Sequence, residues 1–313
     1  MGGLAALAPV AAVASISHRA EMSIIHSHSP LHSSLGAAAL LCACTPIAQA
    51  TPALPWQGAR FVAMGSSFAA GPGIAAPVDS TANRCGRSSN NYALLPAREF
   101  GLQLTDVSCS GATTSDVLRP RGKLPAQIDA LTTETRLVTI TIGGNDVGYI
   151  GTLGSASCRT LPIPPSGTPG GKCPAAPSAL VNWSALKTAM SKIALEVHRR
   201  APSATLIFVD YLTVLSERGA CDGTPLPAGQ ADASRATAKK LAKLTKTVAA
   251  ETGSELFTAS AMSRTHSACD AEPWVTGFPL PGALGFIPYH PNQAGMSAIA
   301  SSLARRLRTK ARP

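Results

Sequence analysis

An α/β fold, a three-layer α/β/α sandwich with a mainly parallel sheet, follows from three features of this 313-residue sequence. Short β-like runs bounded by turn residues recur along it, longer stretches of helical periodicity lie between them, and the composition supplies ample apolar material for a core. Hydrophobic residues make up 45% of the chain and charged ones only 14%, which excludes a disordered polyelectrolyte. No apolar stretch reaches the ~20 residues that span a bilayer, which excludes a polytopic membrane protein.

Taken in order, residues 60–64 (RFVAM), 137–142 (LVTITI) and 205–209 (TLIFV) are the three strong strand candidates, and 102–107 and 255–257 are weaker ones. Between and after them, Trp183, Leu186, Met190, Ile193 and Val197 fall at helical spacing. So do Leu241, Leu244 and Val248, and then Met296, Ile299, Leu303 and Leu307. These stripes read as core packing. A parallel sheet of this kind carries its ligands at the carboxyl ends of its strands, which is where chemistry is to be sought.

Residues 1–50 are expected to be a leader and 51–313 a single domain. Residues 35–50 (LGAAALLCACTPIAQA) form a short apolar run ending in Ala48-Gln49-Ala50, the small-x-small form of a secretory cleavage site. Only Arg19 precedes that run as a positive charge, and Met22 is an alternative start. Plain secretion is expected; the alternative is a lipoprotein acylated at Cys44. Without the leader, Cys85, Cys109, Cys158, Cys173, Cys221 and Cys269 remain, an even set suited to an oxidising compartment. None forms a CxxC pair or has a histidine at finger-like spacing, so disulfides are expected in place of a metal site. Cys158 and Cys173 flank a Pro/Gly-rich loop in need of a staple, and among the possible pairings the sequential one is favoured.

At the end of the first strand candidate stands Met64-Gly65-Ser66-Ser67-Phe68-Ala69-Ala70-Gly71. A serine leaving a buried strand toward a helix is held at the top of the sheet, where backbone N–H groups can face a developing oxyanion. The GxSxG elbow and the GxGxxG and GxxxxGK[ST] phosphate loops are missing, so no nucleotide cofactor is expected. Three further segments fall in register: Cys109-Ser110-Gly111-Ala112 after a weaker strand, Gly143-Gly144-Asn145-Asp146 after LVTITI, and Tyr289-His290-Pro291-Asn292 before the last helix. Any one of them alone reads as a turn or a cap; the ordered set does not.

Together these four blocks resemble those of the SGNH hydrolases, the GDSL-type esterases and lipases, and most of all the secreted bacterial members with three sequential disulfides. The resemblance runs from Phe61 to the C-terminal helix and implies a flavodoxin-like sandwich. It also implies Cys85–Cys109, Cys158–Cys173 and Cys221–Cys269 bridges, and catalysis without cofactor or metal. By position, Ser67 resembles the nucleophile and His290 the general base, with an oxyanion hole from the backbone of Ser67 and Gly111 and the side chain of Asn145. The chemistry is coherent on its own terms. A serine attacks an ester only if a base takes its proton, a neutral imidazole is suited to that near pH 7, and each donor to the oxyanion is worth roughly 2.7–4 kcal/mol of barrier.

Two positions depart from the pattern. Ser66 replaces the usual Asp, giving GSS in place of GDS, and Ile287 stands where an acid often precedes the histidine by three residues. A Ser-His dyad is therefore expected, with His290 oriented by the main-chain carbonyl of Ile287 and Asp270 as the competing distal acid. The expected activity is hydrolysis of carboxylic esters through an acyl-enzyme; the alternatives are acyl transfer on the same site and an inactive lipid- or glycan-binding relative. Trp274, Phe278, Leu280, Leu284, Phe286 and Tyr289 either line an acyl pocket or simply pack their loop. The net charge of +10 is concentrated in Lys239, Lys240, Lys243 and Lys246 and in Arg305, Arg306, Arg308, Lys310 and Arg312. Peripheral contact with anionic lipid or cell-wall polymer is the partner reading for these runs, whereas nucleic acid is not expected because aromatics are not interleaved. A monomer is expected.

Overall fold

The computed structural model describes residues 56–74, 85–164, 172–177, 181–278 and 287–310; residues 1–50, expected to be a leader, lie outside them. Five strands, β1 (Arg60–Gly65), β2 (Gln103–Asp106), β3 (Thr135–Thr141), β4 (Thr205–Val209) and β5 (Glu255–Phe257), form one sheet in the order β2-β1-β3-β4-β5. Every pairing is parallel. The three central strands are buried almost throughout, whereas β2 and β5 lie half-buried at the edges. Covering on both faces explains why the central strands read as continuous apolar runs and the edge strands read weakly.

The helices are α1 (Ser67–Ala70), α2 (Leu94–Phe100), α3 (Thr114–Leu118), α4 (Tyr149–Thr160), α5 (Trp183–Arg200), α6 (Ala228–Glu251), α7 (Ala259–Met262) and α8 (Gln293–Lys310). They cover both faces of the sheet, α2 packing with α8 in one layer and α3, α4, α5 and α6 contacting one another in the other. The stripe Leu186, Met190, Ile193 and Val197 of α5 is buried, as is Met296, Ile299, Leu303 and Leu307 of α8. Each such side chain contributes about 1.5–3 kcal/mol on leaving water. Asn182 starts α5 by accepting from Ala185 N at 2.9 Å, and Asn292 does the same for α8 through Gly295 N at 3.0 Å.

All three disulfides follow the sequential pairing: Cys85–Cys109, Cys158–Cys173 and Cys221–Cys269. The first joins the segment before α2 to the segment leaving β2. Strand order makes β1 and β3 the neighbours from which the chain departs in opposite directions, so their carboxyl ends flank the crevice of the sheet. Ser67 follows one of these ends and Asn145 the other.

Candidate active site

Ser67 is the first residue of α1, and Gly65 before it makes the tight exit possible. Gly65 has φ of 124°, and a Cβ there would lie 2.3 Å from the carbonyl oxygen of Thr141 in β3. The buried side chain of Gln127 clamps the same glycine, its Oε1 accepting from Gly65 N at 2.7 Å and its Nε2 donating to Gly65 O at 3.0 Å.

The Oγ of Ser67 lies 2.8 Å from Nε2 of His290, and the two residues are 7% and 9% exposed. His290 Nδ1 lies 2.7 Å from the carbonyl oxygen of Pro288. A carbonyl only accepts, so Nδ1 carries the ring proton and Nε2 is left to accept from the serine hydroxyl. Burial pulls the His290 pKa down from 6.5 to about 4, and the Pro288 carbonyl offsets part of that fall. The imidazole is therefore neutral at neutral pH. Phe68 packs beside it, with ring centroids 5.3 Å apart.

Ile287 does not take the orienting role expected of it. Its carbonyl accepts from Thr276 Oγ1 at 2.6 Å, and the carbonyl under the imidazole belongs to Pro288. The cause is the turn at Tyr289, the only non-glycine residue with positive φ (58°) among those described, which folds the chain back one residue more tightly than an extended approach would. Thr276 also accepts from His290 N at 3.1 Å, and its own N–H donates to His290 O at 2.8 Å. Asp270 closes a local turn, accepting from Ser267 N at 2.6 Å and Ser267 Oγ at 2.8 Å.

Gly111 lies in the segment leaving β2 with φ of 77°, in the left-handed region that favours glycine. Asn145, in the turn after β3, donates from Nδ2 to Ala112 O at 2.8 Å, which ties it to the residue after Gly111. One amide hydrogen is used by that bond and the second is left over. Asp146 accepts from Thr114 N at 3.1 Å, fastening the same two segments a second time.

Several contributors carried no local sequence signal. Tyr211 accepts from Gly144 N at 2.8 Å and lies 3.3 Å from Ser66 Oγ; Gln127, Thr276 and Pro288 act through contacts that no short motif encodes. Of the apolar residues before His290, Trp274 stacks on His266 at 4.0 Å, and Phe278 packs against Tyr289 at 5.9 Å, so these three pack their own loop. Leu280, Leu284 and Phe286 lie outside the described residues. Of the described basic tail, Arg306 bridges to Glu255 at 2.6 Å, Lys310 reaches the same carboxylate and Arg308 reaches Glu99, while Arg312 lies outside the described residues. Lys240 lies over the ring of Trp183 at 4.6 Å, while Lys239, Lys243 and Lys246 remain exposed.

A serine hydrogen-bonded to a neutral, buried histidine at the top of a parallel sheet is an arrangement suited to ester hydrolysis. Residues 63–298 match the GDSL-like Lipase/Acylhydrolase family, and the chain belongs to it. It is 35% identical to Lipase 2 of Streptomyces coelicolor over 268 residues, covering 81% of this chain and 85% of that one. With a lipase of Streptomyces rimosus the identity is 28% over 242 residues, or 77% of this chain and 84% of the relative. Among solved structures, the extracellular lipase of Streptomyces rimosus superposes with a TM-score of 0.60 at 26% identity, covering 78% of this chain and 99% of that one. Phospholipase A1 of Streptomyces albidoflavus NA297 has the same fold, with a TM-score of 0.60, 24% identity and the same two coverages. The chain is a carboxylic ester hydrolase with the sandwich fold of the SGNH hydrolases.

Proposed function

We propose that Ser67 is the nucleophile and His290 the general base of a two-residue catalytic unit that cleaves esters through an acyl-enzyme. The observation that carries it is the 2.8 Å contact between Ser67 Oγ and the unprotonated Nε2 of His290, with Nδ1 held by a carbonyl. His290 takes the hydroxyl proton as Oγ bonds to the ester carbon, and the π pair moves onto the carbonyl oxygen. The backbone N–H groups of Ser67 and Gly111 and the remaining Nδ2 hydrogen of Asn145 would receive that oxyanion. Collapse expels the alcohol oxygen, which takes the proton back from Nε2. Water then repeats the sequence on the acyl group and releases the acid. Among the described residues the partner of Nδ1 is the Pro288 carbonyl, whose dipole stabilises the imidazolium formed on the way.

Export from the cell accords with the three disulfides and with the extracellular lipase among the similar structures. The exposed Lys239, Lys243 and Lys246, spaced along one face of α6, support a peripheral contact with an anionic lipid surface.

Hydrolysis of p-nitrophenyl esters of increasing chain length by the purified protein, with mass spectrometric detection of a phosphonate adduct on Ser67, tests the assignment. Labelling at another residue, or hydrolysis that survives Ser67→Ala, would overturn it.

A further inference from the structure

A cavity of ≈ 310 Å³ opens between residues 211–217, α6 and α7, and none of Ser67, Gly111, Asn145 or His290 lines it. Its inner wall is apolar, with Tyr149, Tyr211, Leu212 and Leu215 all buried. Three of the hydroxyls along that wall are already bonded within the protein, and the Tyr149 hydroxyl is the other one there. Tyr211 OH is engaged by Gly144 N and Ser66 Oγ, Ser260 Oγ donates to Asp210 at 2.6 Å, and Thr213 Oγ1 donates to Ser260 O at 2.8 Å. The interior therefore suits a mainly apolar occupant, since its surface is largely hydrocarbon and aromatic and most of its hydroxyls are engaged.

The rim is different. Arg235 lines it, but its guanidinium is committed to Asp232 at 2.7 Å and to the carbonyls of Ser216 and Gly219. Lys239 and Arg264 are exposed there and have no carboxylate partner among the described residues, and Glu217 is the one acidic residue lining the cavity. An apolar interior under two cations that face no carboxylate among the described residues matches a chain with an anionic end.

We propose that this cavity is a second binding site, taking a single-chain fatty carboxylate with its tail against Tyr211 and Leu212 and its head group at Lys239 and Arg264. Such an acid is what carboxylic ester hydrolysis releases. That assignment is used only to name the acid, and the site itself follows from the cavity and its charges. An acid held there rests on the ring of Tyr211, whose hydroxyl binds the residues preceding both Ser67 and Asn145.

Calorimetry on the Ser67→Ala protein with decanoate and with methyl decanoate separates the free acid from an esterified chain. Decanoate is expected to bind about fivefold more tightly than its ester, the scale of two solvent-exposed charge contacts. The Lys239→Ala/Arg264→Ala variant should erase that difference, and Glu217→Gln should tighten decanoate. Ala238→Trp, which fills the cavity from α6, should weaken both ligands at least about tenfold while leaving p-nitrophenyl acetate hydrolysis by the Ser67-containing enzyme unchanged. Decanoate should still bind wild-type protein whose Ser67 carries a phosphonate. Loss of binding on phosphonylation, indifference to both the charge and the filling variants, equal affinity for acid and ester, or no binding of decanoate would each overturn the proposal. None of these outcomes depends on whether Ser67 is the nucleophile, which is read separately from turnover and labelling.

Discussion

The hydroxyl of Tyr211 accepts the backbone N–H of Gly144 at 2.8 Å. With its acceptor side so occupied, its own proton points to Ser66 Oγ, 3.3 Å away, and Ser66 Oγ can pass its proton to Thr141 O at 3.4 Å. One buried phenol therefore joins the residue before Ser67 to the residue before Asn145. Burial also raises the Tyr211 pKa to about 12, so the group remains a neutral donor at every pH of interest. Ser66, which stands where GDSL-type sequences usually have Asp, is the hydroxyl that meets the phenol here.

Tyr211→Phe leaves the Gly144 N–H buried without its acceptor, a loss of about 1–3 kcal/mol in stability. Because the two loops lose their common anchor, kcat is expected to fall about tenfold with KM nearly unchanged. Steady-state kinetics and thermal unfolding on the same variant check both. A fall in stability with full kcat would make the tyrosine purely structural.

Ser67→Ala should abolish ester hydrolysis while leaving thermal unfolding almost unchanged. Asn145→Ala should lower kcat by about 10²–10³ with little change in KM, since a bond to the oxyanion exists only in the transition state. An effect confined to KM would instead make Asn145 a substrate-binding residue.

The acid limb of kcat/KM should inflect near pH 4, not near 6.5, because burial holds His290 neutral. For stability the sign is as follows. The unfolded histidine protonates below about 6.5 and the folded one only near 4, so stability is fully present above 6.5 and is lost as pH falls toward 4. The loss is on the order of 3 kcal/mol. Asp210, raised by burial to about 6, acts in the opposite direction over the same range. The His290 contribution is isolated by subtracting the pH profile of unfolding free energy for His290→Asn from that of the wild type. A difference that does not vary between pH 6.5 and 4 would contradict it.

Asp270→Asn is expected to keep nearly full activity, since that carboxylate is bonded to Ser267. Loss of a true triad acid costs ~10⁴ in kcat by contrast, which rate measurements would expose at once. Thr276→Val should be the harmful change in this region. It removes the acceptor of His290 N–H and the donor to Ile287 O, and a several-fold drop in kcat is expected without a shift in the acid limb.

Strands buried on both faces were legible because burial imposes an apolar run: RFVAM and TLIFV match β1 and β4 to within a residue, and LVTITI starts two residues late and ends one beyond β3. The chemistry-bearing blocks were legible for a related reason: each sits directly after a strand or before α8, so local order encodes their place. Pro288 was not legible, because the choice between it and Ile287 depends on one left-handed residue, Tyr289, that no propensity favours. Gln127 and Tyr211 were hidden for a third reason. Their partners lie 62 and 67 residues away, and only the packed sheet brings them together.

Gly65 spends its carbonyl on two donors, Gln127 Nε2 and Cys109 N, each at 3.0 Å, and its N–H on Gln127 Oε1. A strand end normally finishes in solvent, where water reorients to follow any change of charge; here three fixed bonds replace that water two residues before the hydroxyl at Ser67. The serine exit is consequently set when the chain folds and has little freedom to relax as charge develops on the substrate. For the nucleophile proposed above, the reorganisation that a solvated serine would undergo at each turnover is met once, during folding, by a side-chain amide borrowed from the short 3-10 turn at Gln127–Ala130.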